Sequence, residues 1–214
     1  MLSSVGFTAE ELIPPTSSAV IEHIMELQNA RQATLAYFYF DFNDDKKTNL
    51  DNALRSLLTQ LAARSDRYCD ILSDLYDNNG GSIPGRAAEM ITCLEEMLEQ
   101  PDQVPVYIIL DALDECSNTI PSARRRVLDF LKGLVDHRLS NLRLCVTSRP
   151  EGDIRSALKA FRTISVQEQE GQKEDIDRYI NDVVFANSDT LMGTWDIETK
   201  NKVVKALKKK ADGM

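Results

Sequence analysis

Three acidic side chains follow directly on an apolar run in the middle of the chain. Five apolar residues at 106–110 precede Asp111, and Asp114 and Glu115 come shortly after it. An uninterrupted apolar run is typical of a strand buried on both faces of a parallel sheet, and such sheets bind ligands at the carboxyl ends of their strands. Carboxylates there suit a hard cation such as magnesium or an attacking water that must be oriented. The alternative is a helix cap or an acidic loop.

A second apolar run, at 142–147, ends in a basic residue. Ser148 and Arg149 follow it, and Pro150 and Glu151 come next. An arginine at a strand end beside an acidic strand end suits a phosphate group. The alternative is a structural ion pair with the neighbouring acids.

Strand and helix patterns alternate along the chain, which predicts an α/β fold with a mostly parallel sheet. The apolar and aromatic runs predict strands at 35–40, 106–110, 142–147 and 163–166. Apolar residues at helical spacing predict helices from about 18, and at 50–61, 86–99, 122–139, 173–185 and 196–210. Residues 1–17 show no clear period, so we expect an irregular lead-in there.

Composition excludes several classes of protein. The net charge of -9 argues against a nucleic-acid surface, which needs a basic face, and we interpret the arginine triplet 124–126 and the lysine triplet 208–210 as solvated helix faces. The four cysteines and two histidines lack the spacing of a zinc site or a disulfide framework, which predicts a reduced, cytoplasmic compartment. No apolar run approaches the roughly 20 residues of a membrane span.

Two motifs together resemble a known family. The stretch VYIILDALDEC, followed after a helix by LRLCVTSRPE, resembles the NACHT domain, a branch of the STAND class of P-loop signalling NTPases that includes innate-immune receptors (NLR proteins) and fungal incompatibility proteins. LAYFYFDFNDD resembles the strand after the P-loop helix in fungal, nephrocystin-type members, and EDIDRYINDVV and KKKADGM resemble their downstream segments. The resemblance covers residues 18–214. It implies a partial NTPase core at 18–168 and the start of a helical region at 169–214.

The resemblance also implies roles for the strand-end residues. Asp111 would be the Walker B acid that holds Mg²⁺, and Asp114 and Glu115 would poise the hydrolytic water. Arg149 would read the terminal phosphate of ATP or GTP. These roles follow the general logic of phosphoryl transfer, in which positioning and charge neutralisation carry most of the catalysis. The intact family uses them in a nucleotide-dependent signalling switch.

The phosphate-binding half of such a site is missing from the sequence. No G-x-x-x-x-G-K-[ST] run occurs, because the only glycine before Gly80 is Gly6 and the first lysine is Lys46. The resemblance implies that the first strand is missing too, between the strands at 142–147 and 163–166, so the sheet would keep an exposed edge. The opening MLSS and the segment 18–24 resemble the residues that come after a P-loop GKS, whereas 5–17 does not. This pattern suggests a truncated or mis-spliced gene product.

Several functions remain open from the sequence. The chain is expected to bind nucleotide weakly or not at all and to show little or no ATP hydrolysis. It could instead be a non-catalytic remnant that forms homo-oligomers or docks to intact NACHT proteins. A third alternative is a metal-dependent phosphatase with Asp111 as nucleophile. That class needs D-x-D after the strand, and here the second acid, Asp114, comes one residue too late.

Overall fold

A computed structural model describes residues 17–101, 104–116, 123–164, 172–185 and 195–211. The described residues fall into two compact units, 17–162 and 163–211. The predicted lead-in at 1–17 lies outside the described residues except for Ser17, which begins the first helix. The predicted boundary at residue 168 also lies outside them.

The first unit is built on a parallel sheet. Its strands are β1 (Thr34–Tyr39), β2 (Val106–Asp111) and β3 (Leu142–Val146), and they lie in the order β1-β2-β3. Both pairings are parallel, with Thr34 opposite Val106 and Val106 opposite Leu142. The expected α/β fold with a parallel sheet is therefore confirmed, and it is consistent with a P-loop-like core that lacks strands.

Helices precede, connect and follow these strands. They are α1 (Ser17–Asn29), α2 (Leu50–Ala62), α3 (Asp66–Asn78), α4 (Ala87–Leu98), α5 (Ala123–Asp136) and α6 (Gly152–Ala157). Asn49 caps α2 by accepting a hydrogen bond from the backbone of Asn52, at 3.0 Å. We did not predict α3 from the sequence, although its partly buried Ile71, Leu72 and Leu75 have helical spacing.

The two faces of the sheet have separate cores because side chains alternate along each strand. The larger core packs α2, α4 and α5 against one face and includes Leu57, Leu94, Ile108 and Leu131, all essentially buried. Each such side chain contributes about 1.5–3 kcal/mol relative to an exposed one. On the other face, Ile21 and Ile24 of α1 pack against strand residues that include Ile109. Asp111 lies in the same alternation as Ile109, on the α1 face.

The structure tests three further sequence predictions in whole or in part. Arg124 is only 5% exposed, so the interpretation of 124–126 as a solvated face is wrong for this residue. Thr163 and Ile164 are not in a strand, and the other half of the predicted strand 163–166 lies outside the described residues. In the triplet 208–210, Lys209 is exposed as expected for a solvated face, whereas the half-buried Lys208 pairs with Asp177 of α7 at 3.1 Å.

The second unit contains two described helices, α7 (Gln172–Phe185) and α8 (Ile197–Ala211), close to the predicted ranges. Val184 of α7 and Val204 of α8 are buried. Lys200 is buried with its ammonium 5.9 Å from the centre of the Phe185 ring, where a cation is attracted to the ring face.

Candidate functional site

Asp111 ends β2, and its side chain is bound from the neighbouring strand end. Its backbone carbonyl accepts a hydrogen bond from Phe40, just after β1, at 3.0 Å. Its carboxylate oxygen Oδ1 accepts one from the hydroxyl of Thr147, just after β3, at 2.5 Å. Asp111 is half-buried. The carboxyl ends of all three strands therefore meet at this residue.

Thr147 also holds the turn that follows Asp111. Its hydroxyl oxygen accepts a hydrogen bond from the backbone N–H of Ala112 at 3.0 Å, and its carbonyl accepts one from Leu113 at 2.9 Å. Ala112 has a φ of 53°, a left-handed conformation that is uncommon for a residue with a Cβ. Two hydrogen bonds to one threonine thus stabilise a strained turn beside the acid.

Asp114 contacts Arg149 across the same edge. One oxygen of the Asp114 carboxylate accepts a hydrogen bond from the backbone N–H of Arg149 at 2.9 Å, and the other lies 3.5 Å from its Nε. The Asp114 side chain is 8% exposed, whereas that of Arg149 is 82% exposed. The Asp114 side chain is therefore buried, whereas the guanidinium faces solvent.

Glu115 is the last residue of a short 3-10 turn, Leu113–Glu115. No described contact joins it to Arg149. Its backbone N–H donates to the carbonyl of Ala112 at 2.8 Å, and the residue is half-buried. Leu113 is fully buried and anchors the turn in the core. The turn places Glu115 beside the strand ends without fixing its carboxylate through any described hydrogen bond.

A buried guanidinium joins the two strand-end segments. Arg124 donates from Nη2 to the Asp114 carbonyl at 2.5 Å and from Nε to the Cys116 carbonyl at 3.2 Å. Its Nη1 donates to the Glu151 carboxylate and, at 3.4 Å, to that of Asp153. Arg124 therefore bridges the loop after β2 and the beginning of α6.

The negative charge of Asp111 acts on its neighbours. Burial raises the pKa of the Tyr39 phenol, and the nearby Tyr37 and Asp111 raise it further, against a hydrogen bond from Ser18 that lowers it. Burial also raises the pKa of the Cys145 thiol, and Asp111 adds to that shift. Both side chains thus stay neutral near pH 7 beside the acid.

The carboxylate oxygens at this edge could hold a cation only if a bound ligand supplied the remaining oxygen atoms of its coordination shell. Within the described ranges, no three His, Cys, Asp or Glu side chains are grouped as metal ligands would be. Asp111 has a second carboxylate oxygen besides the one bound to Thr147. Magnesium fits such a site because it keeps several waters and takes one or two carboxylates together with phosphates.

The sequence identified the strand-end residues but missed two that hold them. Asp111 and Asp114 were predicted to lie near Arg149, and the Asp114–Arg149 contact is present. Thr147 was included in a strand and given no role, although a hydroxyl at a strand end is a usable signal. Arg124 carried a signal that we did not use, because it lies three and four residues before Val127 and Leu128, on the apolar stripe of the predicted helix.

The fold and this edge define an α/β protein with acidic and basic residues gathered at the carboxyl ends of a parallel sheet. The family model described as Nephrocystin 3, N-terminal, matches residues 16–149. The match covers well over half of the chain and includes Asp111, Asp114, Glu115 and Arg149. The chain therefore belongs to this nephrocystin-type family. No curated protein matches the chain at a significant level. No helix in the described part of the chain has the length and apolarity to span a membrane.

Proposed function

We propose that this chain is part of a NACHT-type nucleotide-dependent signalling switch of the STAND class. The observation that carries the proposal is the meeting of two strand ends. Thr147 binds the Asp111 carboxylate at 2.5 Å, and Asp114 binds the Arg149 backbone at 2.9 Å. A carboxylate and an arginine thus lie on one edge of a parallel sheet, where such sheets bind ligands, and this supports a site for magnesium and phosphate.

In this proposal Asp111 holds magnesium together with the phosphates of ATP or GTP. The ion, when bound, neutralises charge on the phosphates. Thr147 keeps the carboxylate in one orientation because its single hydroxyl proton points to Asp111 while its oxygen accepts from Ala112. The Asp111 carboxylate is thus pre-oriented before any ligand arrives, which reduces the ordering cost of binding.

The contacts divide the remaining roles. Asp114 is bound to Arg149 and its side chain is 8% exposed, so its main role is to fix the Arg149 backbone. The exposed Arg149 guanidinium is then free to turn towards a terminal phosphate, a group that arginine binds well. Glu115, whose carboxylate no described contact restrains, is the better candidate for orienting a water.

The missing phosphate cradle limits what this chain does by itself. Without a Gly-rich loop and its lysine, the nucleotide loses most of its backbone and charge contacts. We therefore expect weak binding and no measurable hydrolysis. The same absence supports the second candidate, a cytoplasmic module that docks to intact NACHT proteins or to copies of itself and uses no nucleotide.

A nucleotide titration separates the two candidates. Fluorescent ATP and GTP are titrated into the purified protein with and without magnesium, using wild type, Asp111→Asn and the control Asp136→Asn. The control changes net charge equally at an exposed position on α5. Weak, magnesium-dependent binding that only Asp111→Asn abolishes supports the switch. A folded protein that binds nothing at near-millimolar nucleotide contradicts it and leaves the docking module.

Turnover is measured on the same samples. We expect no phosphate release above the control without protein. Hydrolysis that Asp111→Asn abolishes would contradict the predicted inactivity and show that catalysis survives without the P-loop lysine.

A further inference from the structure

Arg124 is a buried charged side chain on the core-facing side of α5, and its guanidinium is hydrogen-bonded to polar partners. It lies on the same face of α5 as Val127, Leu128 and Leu131, which belong to the core, and it is 5% exposed. A guanidinium leaves water at a cost of several kcal/mol unless it is paired and hydrogen-bonded. Its partners are the two backbone carbonyls and two carboxylates described above.

These partners lie on both sides of the candidate site. Asp114 offers its carbonyl to Arg124 and its carboxylate to the Arg149 backbone. Glu151 binds Arg124 from two residues beyond Arg149. The contacts form a closed ring through Arg124, Asp114, Arg149 and Glu151, so a displacement of Arg124 loosens both segments at once.

The geometry requires arginine at this position. Nε and the two terminal nitrogens of Arg124 each serve a different partner. A lysine has one nitrogen and cannot reach all of them in a fixed plane. The adjacent arginines provide controls. Arg125 has a side chain that is 83% exposed and pairs with Asp129 of its own helix at 3.7 Å, while Arg126 pairs with Asp51 of α2.

We propose that Arg124 is the positioning residue of this site. It acts through Asp114 and Glu151 to hold the Arg149 backbone at the carboxyl edge of the sheet. Its importance for a phosphate ligand rests on the proposed function. The positioning itself is a property of the chain alone and can be measured without a ligand.

The test compares amide hydrogen exchange in wild type, Arg124→Met, Arg124→Lys and the control Arg125→Met. The Arg149 and Cys116 amides report on the two segments, and the Ile108 amide of β2 reports on global unfolding. Relative to Ile108, we expect Arg124→Met to accelerate exchange at Arg149 and Cys116 by about tenfold or more, since local opening is then uncoupled from global unfolding. Arg124→Lys should fall in between, and Arg125→Met should match wild type.

A milder variant covers the case in which Arg124→Met does not fold. Glu151→Gln changes a side chain that is 43% exposed and weakens only one arm of the ring. It is expected to accelerate Arg149 exchange in the same direction by a smaller factor. Unchanged Arg149 exchange in folded Arg124→Met, or in Glu151→Gln if the first variant is unfolded, overturns the positioning role.

The nucleotide titration distinguishes this inference from the proposed function. If wild type binds no nucleotide but Arg149 exchange rises in Arg124→Met, the positioning role stands and the switch function fails. If wild type binds magnesium and nucleotide while Arg149 exchange does not respond, the switch stands and the positioning role fails. If both hold, Arg124→Met should weaken nucleotide binding and Arg125→Met should not.

Discussion

Thr147 shows how one small side chain organises the candidate site. Its hydroxyl has a single proton, which goes to Asp111, and its oxygen accepts the N–H of Ala112. These two contacts fix both the direction of the acid and the left-handed turn behind it. Serine offers the same hydroxyl, whereas valine matches the shape of threonine without it.

We predict that Thr147→Val lowers the free energy of unfolding by about 1–3 kcal/mol, because it leaves a part-buried donor and a carboxylate oxygen without their partner. Urea unfolding measures the change. Thr147→Ser is the control and should lose distinctly less stability, since it keeps the hydroxyl. Equal stability of the valine and serine variants would mean that these hydrogen bonds contribute nothing.

At the scale of elements, the outer edge of β1 is closed by side-chain amides. Gln28 of α1 accepts the N–H of Leu35 at 2.8 Å. Gln60 of α2 accepts the N–H of Tyr37 at 3.1 Å and donates to its carbonyl at 2.8 Å. An unpaired strand edge is a template for pairing with another chain. The two glutamines occupy three of the groups that another strand would use, the N–H of Leu35 and the N–H and carbonyl of Tyr37.

Gln60→Ala is expected to reopen that edge. We predict a loss of about 1–2 kcal/mol from the missing hydrogen bonds and an increase in self-association, measured by urea unfolding and by sedimentation at rising protein concentration. Gln100→Ala is the control, because the exposed hydrogen bond of the Gln100 amide is local and goes to the Glu96 carbonyl near the end of α4. A Gln60→Ala protein as monomeric as the control would show that the edge is protected in another way.

At the scale of the whole molecule, burial keeps several weak acids neutral. Burial raises the pKa of the Cys93 thiol to about 11 and that of the Cys116 thiol to about 11, and it raises the pKa of Tyr68 to about 12. Cys69, in contrast, is exposed. The folded state disfavours ionisation of these buried groups. At a pH where they ionise in the unfolded chain but not in the folded one, ionisation therefore favours unfolding.

The stability should therefore fall with alkaline pH. The ordinary pKa of a thiol is 9.0, and burial raises the pKa of Cys93 and Cys116 to about 11. The stability that the two neutral thiols contribute is therefore fully present below pH 9.0, and it is lost as the pH rises through the folded-state pKa of about 11. Urea unfolding at a series of alkaline pH values measures this slope. Cys93→Ala should reduce the slope and Cys69→Ala should not. A wild-type stability independent of pH over this range would contradict the prediction.

Much of the fold and part of the site followed from local patterns. The run at 106–110 predicted β2, and the alternation of elements predicted the parallel sheet. The prediction of functional residues at strand ends led to Asp111, Asp114, Glu115 and Arg149, whose roles stay proposals. Helix α3 was missed because its apolar stripe is short and interrupted by acids, and packing against α2 and α4 stabilises it.

The sequence by itself determined which residues stand at the ends of strands, because side-chain periodicity is a local property of the chain. Only the tertiary structure decided that Thr147 binds Asp111 and that Arg124 is buried between two loops. Both depend on which strands pair and which helix face meets the sheet. Those choices join residues far apart in sequence, such as Thr147 and Asp111, and they decide which partners meet the guanidinium of Arg124 once its helix face is buried.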